Sequence, residues 1–459
     1  MNYKTSLFIF RRDLRLQDNT GLIEAIKQSE TVIPCFIFDS RQVSKKNEYR
    51  SLNAIQFMIE SLRELDEELR KKDGKLYLFY GKNEEVIGSL LKSGKINAVF
   101  CNRDYTPFSI KRDEEIKKQC LHYDVAFHQY GDALLHEPEE IKTQGGTPYS
   151  IFTAFYKASL HFPVKQPQKL PAAHFYRGAL NGSEATTAYK QILPESNKEI
   201  FVHGGRKEAL KIIKSISDFQ HYQKIRDFPA QHTTGLSAHL KFGTISVRET
   251  YAAIANRLGP AHPLLRQLYW RDFFTHVAYY SPFVYGHAFH KKYDQLDWNT
   301  SKKDFDAWCS GKTGFPIVDA GMRQLNATGY MHNRVRMIVA SFLTKDLHIN
   351  WLWGEKYFAQ QLVDYDPAVN NGNWQWAAST GCDAQPYFRI FNPWLQQKKF
   401  DPECAYIKKW VPELAKVSPK TIHAWDEEYK NSRIDYPAPM VDHAEESARA
   451  KLLYKSVKP

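Results

Sequence analysis

The sequence has few cysteines and no spacing that would make them metal ligands. Six cysteines are spread over 459 residues, at positions 35, 101, 120, 309, 382 and 404, and no CxxC pair occurs among them. We therefore expect neither a zinc site nor a disulfide framework, and no metal at all. This cysteine usage suits a reducing compartment, so the sequence predicts a cytoplasmic protein.

Glycine-rich phosphate loops and long apolar runs are also missing. No GxGxxG follows the first β-rich run, SLFIF, which excludes a dinucleotide-binding fingerprint there. The tetrapeptide SGKT at 310–313 lacks the upstream glycine of a phosphate-binding loop, because position 306 is Asp306. The N-terminus MNYKTSLFIFRRDLRL has a short apolar run followed at once by arginines, which predicts neither a signal peptide nor a membrane span.

Basic and aromatic side chains, by contrast, are abundant. The chain has 63 Lys and Arg against 51 Asp and Glu, a formal charge of +12, and it contains 10 Trp, 26 Tyr and 28 Phe. Lys and Arg neutralise phosphates and aromatic rings stack on bases, so this composition favours a nucleic-acid partner. A charge that only keeps the protein in solution is the alternative.

Two kinds of periodicity divide the chain. In residues 1–132, short β-rich runs alternate with amphipathic segments, which predicts an α/β domain with a parallel, Rossmann-like sheet. Residues 133–200 are rich in proline and glycine and predict a connector. In residues 201–459 the helical period dominates and predicts an all-α domain. Two domains are also the expectation for a chain of this length.

The segment FPAQHTTGLSAHLKFG, residues 228–243, is a candidate anion site. Thr233, Thr234 and Ser237 place three hydroxyls at the start of a short helical run, where free backbone N–H groups favour a phosphate. Gly235 would let a ligand approach the backbone closely. Simple helix capping explains Thr234 alone, and it remains the alternative.

Two later helical segments place polar and flat side chains on one face. The positions i, i+3 and i+4 are occupied in one segment by Gln267, Trp270 and Arg271, and in the other by Asn333, Arg336 and Met337. Residues at this spacing are neighbours on a helix surface, so we expect the two faces to line a cavity between helices. An ion pair of Arg336 with a carboxylate such as Asp364 is compatible with that cavity.

The stretch DYDPAVNNGNWQW, residues 364–376, concentrates carboxylates, amides and tryptophans. A solvated loop would not readily hold Trp374 and Trp376, because indole is large and apolar and needs a partner for its N–H when buried. The stretch is therefore typical of a pocket wall. Trp298 and Trp351 are, from spacing alone, ordinary core residues.

Together these motifs resemble the DNA photolyase and cryptochrome family over nearly the whole chain, most closely class I cyclobutane pyrimidine dimer photolyases. The matching stretches are FRRDLRLQDN, RDFPA, TTGLSAHLKFGTIS, LYWRDFF, GKTGFPIVDAGMRQLNATGYMHNRVRM and NNGNWQWAASTGCDAQPYFRIFNP. The resemblance implies an N-terminal antenna domain and a C-terminal helical domain that holds FAD in a bent form. No folate-binding pattern is recognisable, so a second, antenna chromophore could be folate, deazaflavin, flavin or none.

The resemblance also assigns residues to the cofactor and to electron transfer. The cofactor-binding residues would be Tyr222, Thr233, Thr234, Gly235, Leu236, Ser237, Gln267, Arg271, Asn333, Arg336, Asp364, Tyr365, Asp366 and Asn370. Within this set Arg336 would pair with Asp364, and Asn370 would face flavin N5. Electrons would reach the flavin from the surface through Trp298, Trp351 and Trp374.

The implied reaction is light-driven repair of UV-damaged DNA. Reduced FAD, excited by blue light, would donate one electron to a pyrimidine dimer flipped out of the helix. The catalytic residues would be Gln267, Asn333, Met337 and Asn370. The DNA-binding residues would be Arg226, Gln267, Trp270, Asn333, Arg334, Trp376 and Arg389, with the two tryptophans as walls for the lesion.

One residue departs from the family pattern and keeps alternatives open. Gln267 stands where dimer photolyases usually carry Glu, and Gln there is similar to (6-4) photolyases. Against that reading, Met337 stands where a (6-4) enzyme would carry a second His on the helix expected to begin near Tyr330. A (6-4) photolyase and a cryptochrome-type photoreceptor are therefore the alternatives to a dimer photolyase. We expect a monomer with no membrane contact.

Overall fold

A five-stranded parallel sheet forms the N-terminal part of the computed structural model, which describes residues 2–183, 189 and 192–457. The strands lie in the order β3-β2-β1-β4-β5, namely β1 Tyr3–Phe10, β2 Ser29–Asp39, β3 Tyr77–Gly81, β4 Ala98–Asn102 and β5 Ala126–Tyr130. The chain winds from β1 to one side and then returns to the other side with β4. Such a reversal opens a crevice at the carboxyl ends of the strands, where ligands bind in open α/β sheets. The predicted parallel sheet is confirmed.

The central strands are apolar on both faces because helices cover both faces. In β1 the residues Leu7, Phe8, Ile9 and Phe10 are at most 1% exposed. The helices of this region are Thr20–Gln28, Ser40–Val43, Leu52–Arg70, Asn83–Leu91 and Pro107–His122. The described part of the predicted connector contains the helix Phe152–Ser159 and a segment at Phe175 that bridges to Val32 in β2.

Helices build the rest of the described chain, as predicted. Their bounds are Arg206–Lys214, Tyr222–Ile225, Leu236–Phe242, Val247–Leu258, Leu265–Tyr280, Lys302–Ser310, Pro316–Thr328, Asn333–Ser341, Trp351–Gln361, Pro367–Ala378, Pro393–Phe400, Ala405–Trp410, Pro419–His423, Trp425–Glu428 and His443–Ser456. The core centres on Pro316–Thr328, whose Ile317, Val318 and Met322 are 0% exposed. Within the described residues, no helix is long and apolar enough to cross a bilayer.

One helix begins later than the sequence indicates. The segment expected to start near Tyr330 becomes helical only at Asn333, because His332 is extended and its side chain caps the helix by accepting from Arg334 N. The preceding helix ends at Gly329, whose φ of +68° suits glycine. Tyr330 and its neighbour therefore cross between two helices, and Tyr330 becomes available to the site described next.

Candidate active site

The carboxyl end of the sheet meets the helical region through a largely buried cluster of charges. Arg12 follows β1, and its guanidinium donates to Asp104 at 3.1 Å and to Asp366. The Asp366 carboxylate also accepts from the N–H of Ala368 at 3.2 Å and so caps the helix Pro367–Ala378. These side chains tie the sheet to the helix that carries the predicted pocket wall.

Three cations and three carboxyl groups meet in this cluster, since Asp272 lies 3.5 Å from Arg271. Burial alone would raise the pKa of Asp366, but Arg12, then Lys241 and Arg271, hold that pKa below its ordinary value. Burial and the nearby Arg12 lower the pKa of Lys241 to about 8. Arg271 donates to two backbone carbonyl oxygens, at 2.6 and 3.3 Å. The cations Arg12, Lys241 and Arg271 thus face the carboxyl groups of Asp104, Asp366 and Asp272, and they can also attract an anionic group.

Asn370 lies on the same helix with a defined orientation. Its Nδ2 donates to Glu355 Oε1 at 2.8 Å and to the Glu355 carbonyl oxygen at 3.1 Å. Burial raises the pKa of the Glu355 carboxyl to about 7. Because the amide nitrogen is occupied, Asn370 presents its Oδ1 as the acceptor for a further N–H group.

Arg336 and Asp364 form an ion pair beside this helix. Arg336 Nη2 lies 3.2 and 3.0 Å from the two carboxylate oxygens, and its Nε donates to the carbonyl oxygen of Met331 at 2.8 Å. The next residue, Tyr365, stacks on Tyr49 of the α/β region with ring centroids 6.4 Å apart. The guanidinium is thereby held by charge and by backbone, and it cannot swing freely.

The hydroxyl-rich segment begins the helix Leu236–Phe242. Thr233 Oγ1 lies 2.8 Å from the Tyr330 hydroxyl, and Thr234 Oγ1 accepts from the backbone N–H two residues later at 3.4 Å. Gly235 adopts φ +66°, in the left-handed region that L side chains rarely adopt. Of the other residues predicted to act with this segment, Leu236 is buried, Tyr222 is partly buried and Ser237 is exposed.

Trp270 is half-buried, and the residue that packs against its indole is Phe152, for which no role was predicted. Phe152 lies flat against the indole, with ring centroids 3.6 Å apart and planes 7° apart. One turn earlier, Gln267 Nε2 lies 3.5 Å from a backbone carbonyl oxygen. On the other predicted face, Asn333 Nδ2 lies 3.6 Å from Met337 Sδ and is exposed.

The three predicted electron-transfer tryptophans differ in burial. Trp374 and Trp351 are 2% and 3% exposed, whereas Trp298 is only partly buried and meets Tyr454 at a centroid distance of 6.3 Å. Gly354 explains how Trp374 fits, because a Cβ there would lie 2.2 Å from Trp374 Cη2. The structure thus places two of these tryptophans in the core and one near the surface.

Two of the predicted DNA-binding arginines share a carboxylate. Arg334 Nη2 donates to Asp227 Oδ1 at 2.8 Å, and Arg226 Nε lies 3.8 Å from the same oxygen. Arg389 is exposed in the loop after the helix Pro367–Ala378, and the half-buried Trp376 lies near the end of that helix.

Sequence reasoning missed several residues of this site. Lys241, Glu355 and Phe152 carry no local signal, because each acts through a partner that is distant in sequence or lies on another element. Arg12 stands inside the FRRDLRLQDN stretch, but its partner Asp366 is 354 positions away. These groups come together only in the folded protein.

Two family models match most of the chain. A model described as DNA photolyase matches residues 6–173, and a model described as the FAD binding domain of DNA photolyase matches residues 264–456. The deoxyribodipyrimidine photo-lyase of Alkalihalophilus pseudofirmus is 37% identical over 473 residues, covering 97% of this chain and 97% of that protein.

Two solved structures superpose on nearly the whole chain. An archaeal photolyase from Sulfolobus tokodaii, which contains two FAD molecules, matches with a TM-score of 0.89 and 45% identity, covering 99% of this chain and 100% of that chain. A bacterial class III photolyase from Agrobacterium tumefaciens matches with a TM-score of 0.91 and 34% identity, covering 100% and 98%.

Proposed function

The chain belongs to the DNA photolyase family, and from this we propose that it repairs cyclobutane pyrimidine dimers in DNA under blue light. The enzyme class is deoxyribodipyrimidine photo-lyase, which breaks carbon–carbon bonds. The observation that carries the proposal is the packing of the helices Leu265–Tyr280 and Pro367–Ala378 against each other. This contact supports a single site that combines the buried Asn370, the partly buried Arg271 and the half-buried tryptophans.

FAD fits the chemistry of that site. The cations Arg12, Lys241 and Arg271 suit an anionic cofactor, and Asn370 Oδ1 suits a ring N–H donor. The residues proposed to hold FAD are Tyr222, Thr233, Thr234, Gly235, Leu236, Ser237, Gln267, Arg271, Asn333, Arg336, Asp364, Tyr365, Asp366 and Asn370. When bound and reduced, FAD supplies one electron to the dimer upon excitation by light.

The protein surface beside this site is proposed to bind the damaged strand. Trp270 and Trp376 would stack on the flipped-out dimer, which costs less to extrude than an intact pair. Gln267 can donate an N–H to a pyrimidine carbonyl and accept from a ring N–H through its amide oxygen. Arg226, Arg334 and Arg389 would contact phosphates, which position the duplex without reading its sequence.

Trp298, Trp351 and Trp374 are proposed to return oxidised flavin to its active reduced state. Trp298 is partly buried and the other two are buried, which suits electrons that enter from the surface. We further propose a cytoplasmic monomer, with the domain boundaries predicted above. A second chromophore is compatible with the family, and the Sulfolobus tokodaii photolyase with two FAD molecules makes flavin the first candidate to test.

A repair assay with defined lesions tests the proposal. Purified protein is denatured by heat, and the released supernatant is expected to contain FAD. Reduced holoprotein is then incubated with duplexes that carry one cyclobutane dimer or one (6-4) lesion, in blue light and in darkness. Light-dependent loss of the dimer alone is expected. Repair of the (6-4) lesion alone would establish that alternative, and absence of any repair would favour the photoreceptor.

A further inference from the structure

The stacked pair Phe152 and Trp270 connects to the opposite side of the site through one side chain. Phe152 is 1% exposed and is the first residue of the helix Phe152–Ser159. The residue before it, Ile151, supplies no side-chain cap to that helix. The Phe152 N–H instead donates to Asp383 Oδ2 at 3.0 Å, across 231 positions of sequence.

Asp383 belongs to the loop that follows the second tryptophan wall. Trp376 lies near the end of the helix Pro367–Ala378, and its carbonyl oxygen accepts from the N–H of Gln385 at 3.3 Å. Asp383 lies between these two residues with φ +50°, an uncommon conformation for a side-chain-bearing residue. A second contact holds the same loop, since Cys382 Sγ donates to the Ser150 carbonyl oxygen at 2.7 Å.

These contacts form a continuous path from one wall to the other. Trp270 stacks on Phe152, the backbone of Phe152 binds Asp383, and the loop of Asp383 returns to Trp376. A carboxylate at a helix N-terminus is held by an otherwise unsatisfied N–H and by the helix dipole. The N-terminus of the helix Phe152–Ser159 and the loop of Asp383 come from distant parts of the chain. Their contact therefore fixes the position of the helix relative to the loop.

We infer that Phe152 and Asp383 are positioning residues that set the spacing between Trp270 and Trp376 for the flipped-out dimer. The inference rests on the proposed function, because it requires those tryptophans to contact the lesion. Neither Phe152 nor Asp383 needs to touch DNA. Their effect passes through Trp270, which must lie flat and still for a base to stack on it at low entropic cost.

Binding of DNA in darkness tests the inference. The variants Phe152→Leu and Asp383→Ala are compared with wild type for affinity to duplexes with and without one cyclobutane dimer. Loss of an ordered aromatic pair corresponds to a roughly two- to tenfold weaker affinity. We expect that loss for dimer DNA only, with unchanged affinity for undamaged DNA, FAD content and photoreduction rate. Asp383→Asn keeps an acceptor oxygen and is expected to restore the wild-type preference.

Phe155→Leu is the matched control for the loss of an aromatic ring from the same helix. Phe155 is also 1% exposed and, like Phe152, packs on Phe273, but it also packs on His276 rather than on Trp270. This variant is expected to lower thermal stability yet keep the preference for dimer DNA. If the Phe152→Leu variant does not fold, the Asp383→Ala variant tests the inference alone, because Asp383 is exposed and its replacement is tolerated more readily.

A double-mutant cycle separates positioning from direct contact. In a Trp270→Ala background, Phe152→Leu is expected to cause no further loss of dimer affinity, because the effect passes through that indole. An unchanged preference in Phe152→Leu and Asp383→Ala, an equal loss for both duplexes, or an equal effect of Phe155→Leu would overturn the inference. Wild-type protein without any preference for dimer DNA would instead overturn the proposed function and the inference with it.

Discussion

Replacing Glu355 by Gln is expected to stabilise the protein in a pH-dependent way. Glu355 is 4% exposed, and burial raises its carboxyl pKa from the ordinary 4.5 to about 7. A tenfold change in proton affinity corresponds to about 1.4 kcal/mol, so this rise corresponds to ~3 kcal/mol. The amide is a neutral isostere that keeps an oxygen for the Asn370 Nδ2 hydrogen bond.

The sign follows from which state holds the proton. Between pH 4.5 and 7 the folded protein keeps the Glu355 proton while the unfolded chain has lost it. The folded state therefore loses stability relative to the unfolded state as pH rises through this window, and the full ~3 kcal/mol is lost above pH 7. The Glu355→Gln variant has no such titration. Its advantage over wild type should grow from near zero at pH 4.5 to ~3 kcal/mol at pH 8.

Urea unfolding of the FAD-containing proteins at a series of pH values measures this difference, since the other titrations are common to both proteins. Glu48→Gln is the control, because the Glu48 side chain is 72% exposed and pairs with Lys356 at 2.6 Å. Exposed pairs contribute about 0.2–1 kcal/mol, so we expect little change at any pH. A difference for Glu355→Gln that is constant with pH, or that grows toward acid, would refute the reasoning.

Three further predictions concern the proposed repair cycle. Trp374→Phe should abolish photoreduction of oxidised flavin but spare repair by chemically reduced enzyme. The control Trp394→Phe should change neither activity. Unchanged photoreduction in Trp374→Phe would exclude the proposed electron-transfer route. Arg226→Ala should weaken binding to damaged and undamaged DNA alike and lower the slope of log affinity against log salt by about one. Arg70→Ala should leave that slope unchanged, and a loss confined to damaged DNA would assign Arg226 to the lesion. Gln267→Glu should repair dimers at least as well as wild type in a quantum-yield assay, because a carboxyl can hold the pyrimidines as the amide does; loss of repair would show that the amide itself is required.

The sequence alone determined the architecture, because the geometry of a strand or helix sets the spacing of apolar residues along the sequence. Apolar runs such as SLFIF became β1, since a strand covered on both faces must be apolar throughout. The i, i+3, i+4 spacing of Gln267, Trp270 and Arg271 falls within the helix Leu265–Tyr280. The long motif matches also predicted the family, which the comparisons confirmed. Details at element ends were less accurate, as the late start of the helix at Asn333 illustrates.

Only the tertiary structure decided which groups meet. Arg12 and Asp366, Glu355 and Asn370, and Phe152 with its partners lie on different elements, and no periodicity connects them. Their partnerships depend on how the sheet, the connector and the helices pack. Burial, which raises the pKa of Glu355 and lowers that of Lys241, is likewise a property of the assembled interior. The identity of a residue determines which chemical group it contributes. The packing of the chain determines which other charge, ring or amide that group contacts.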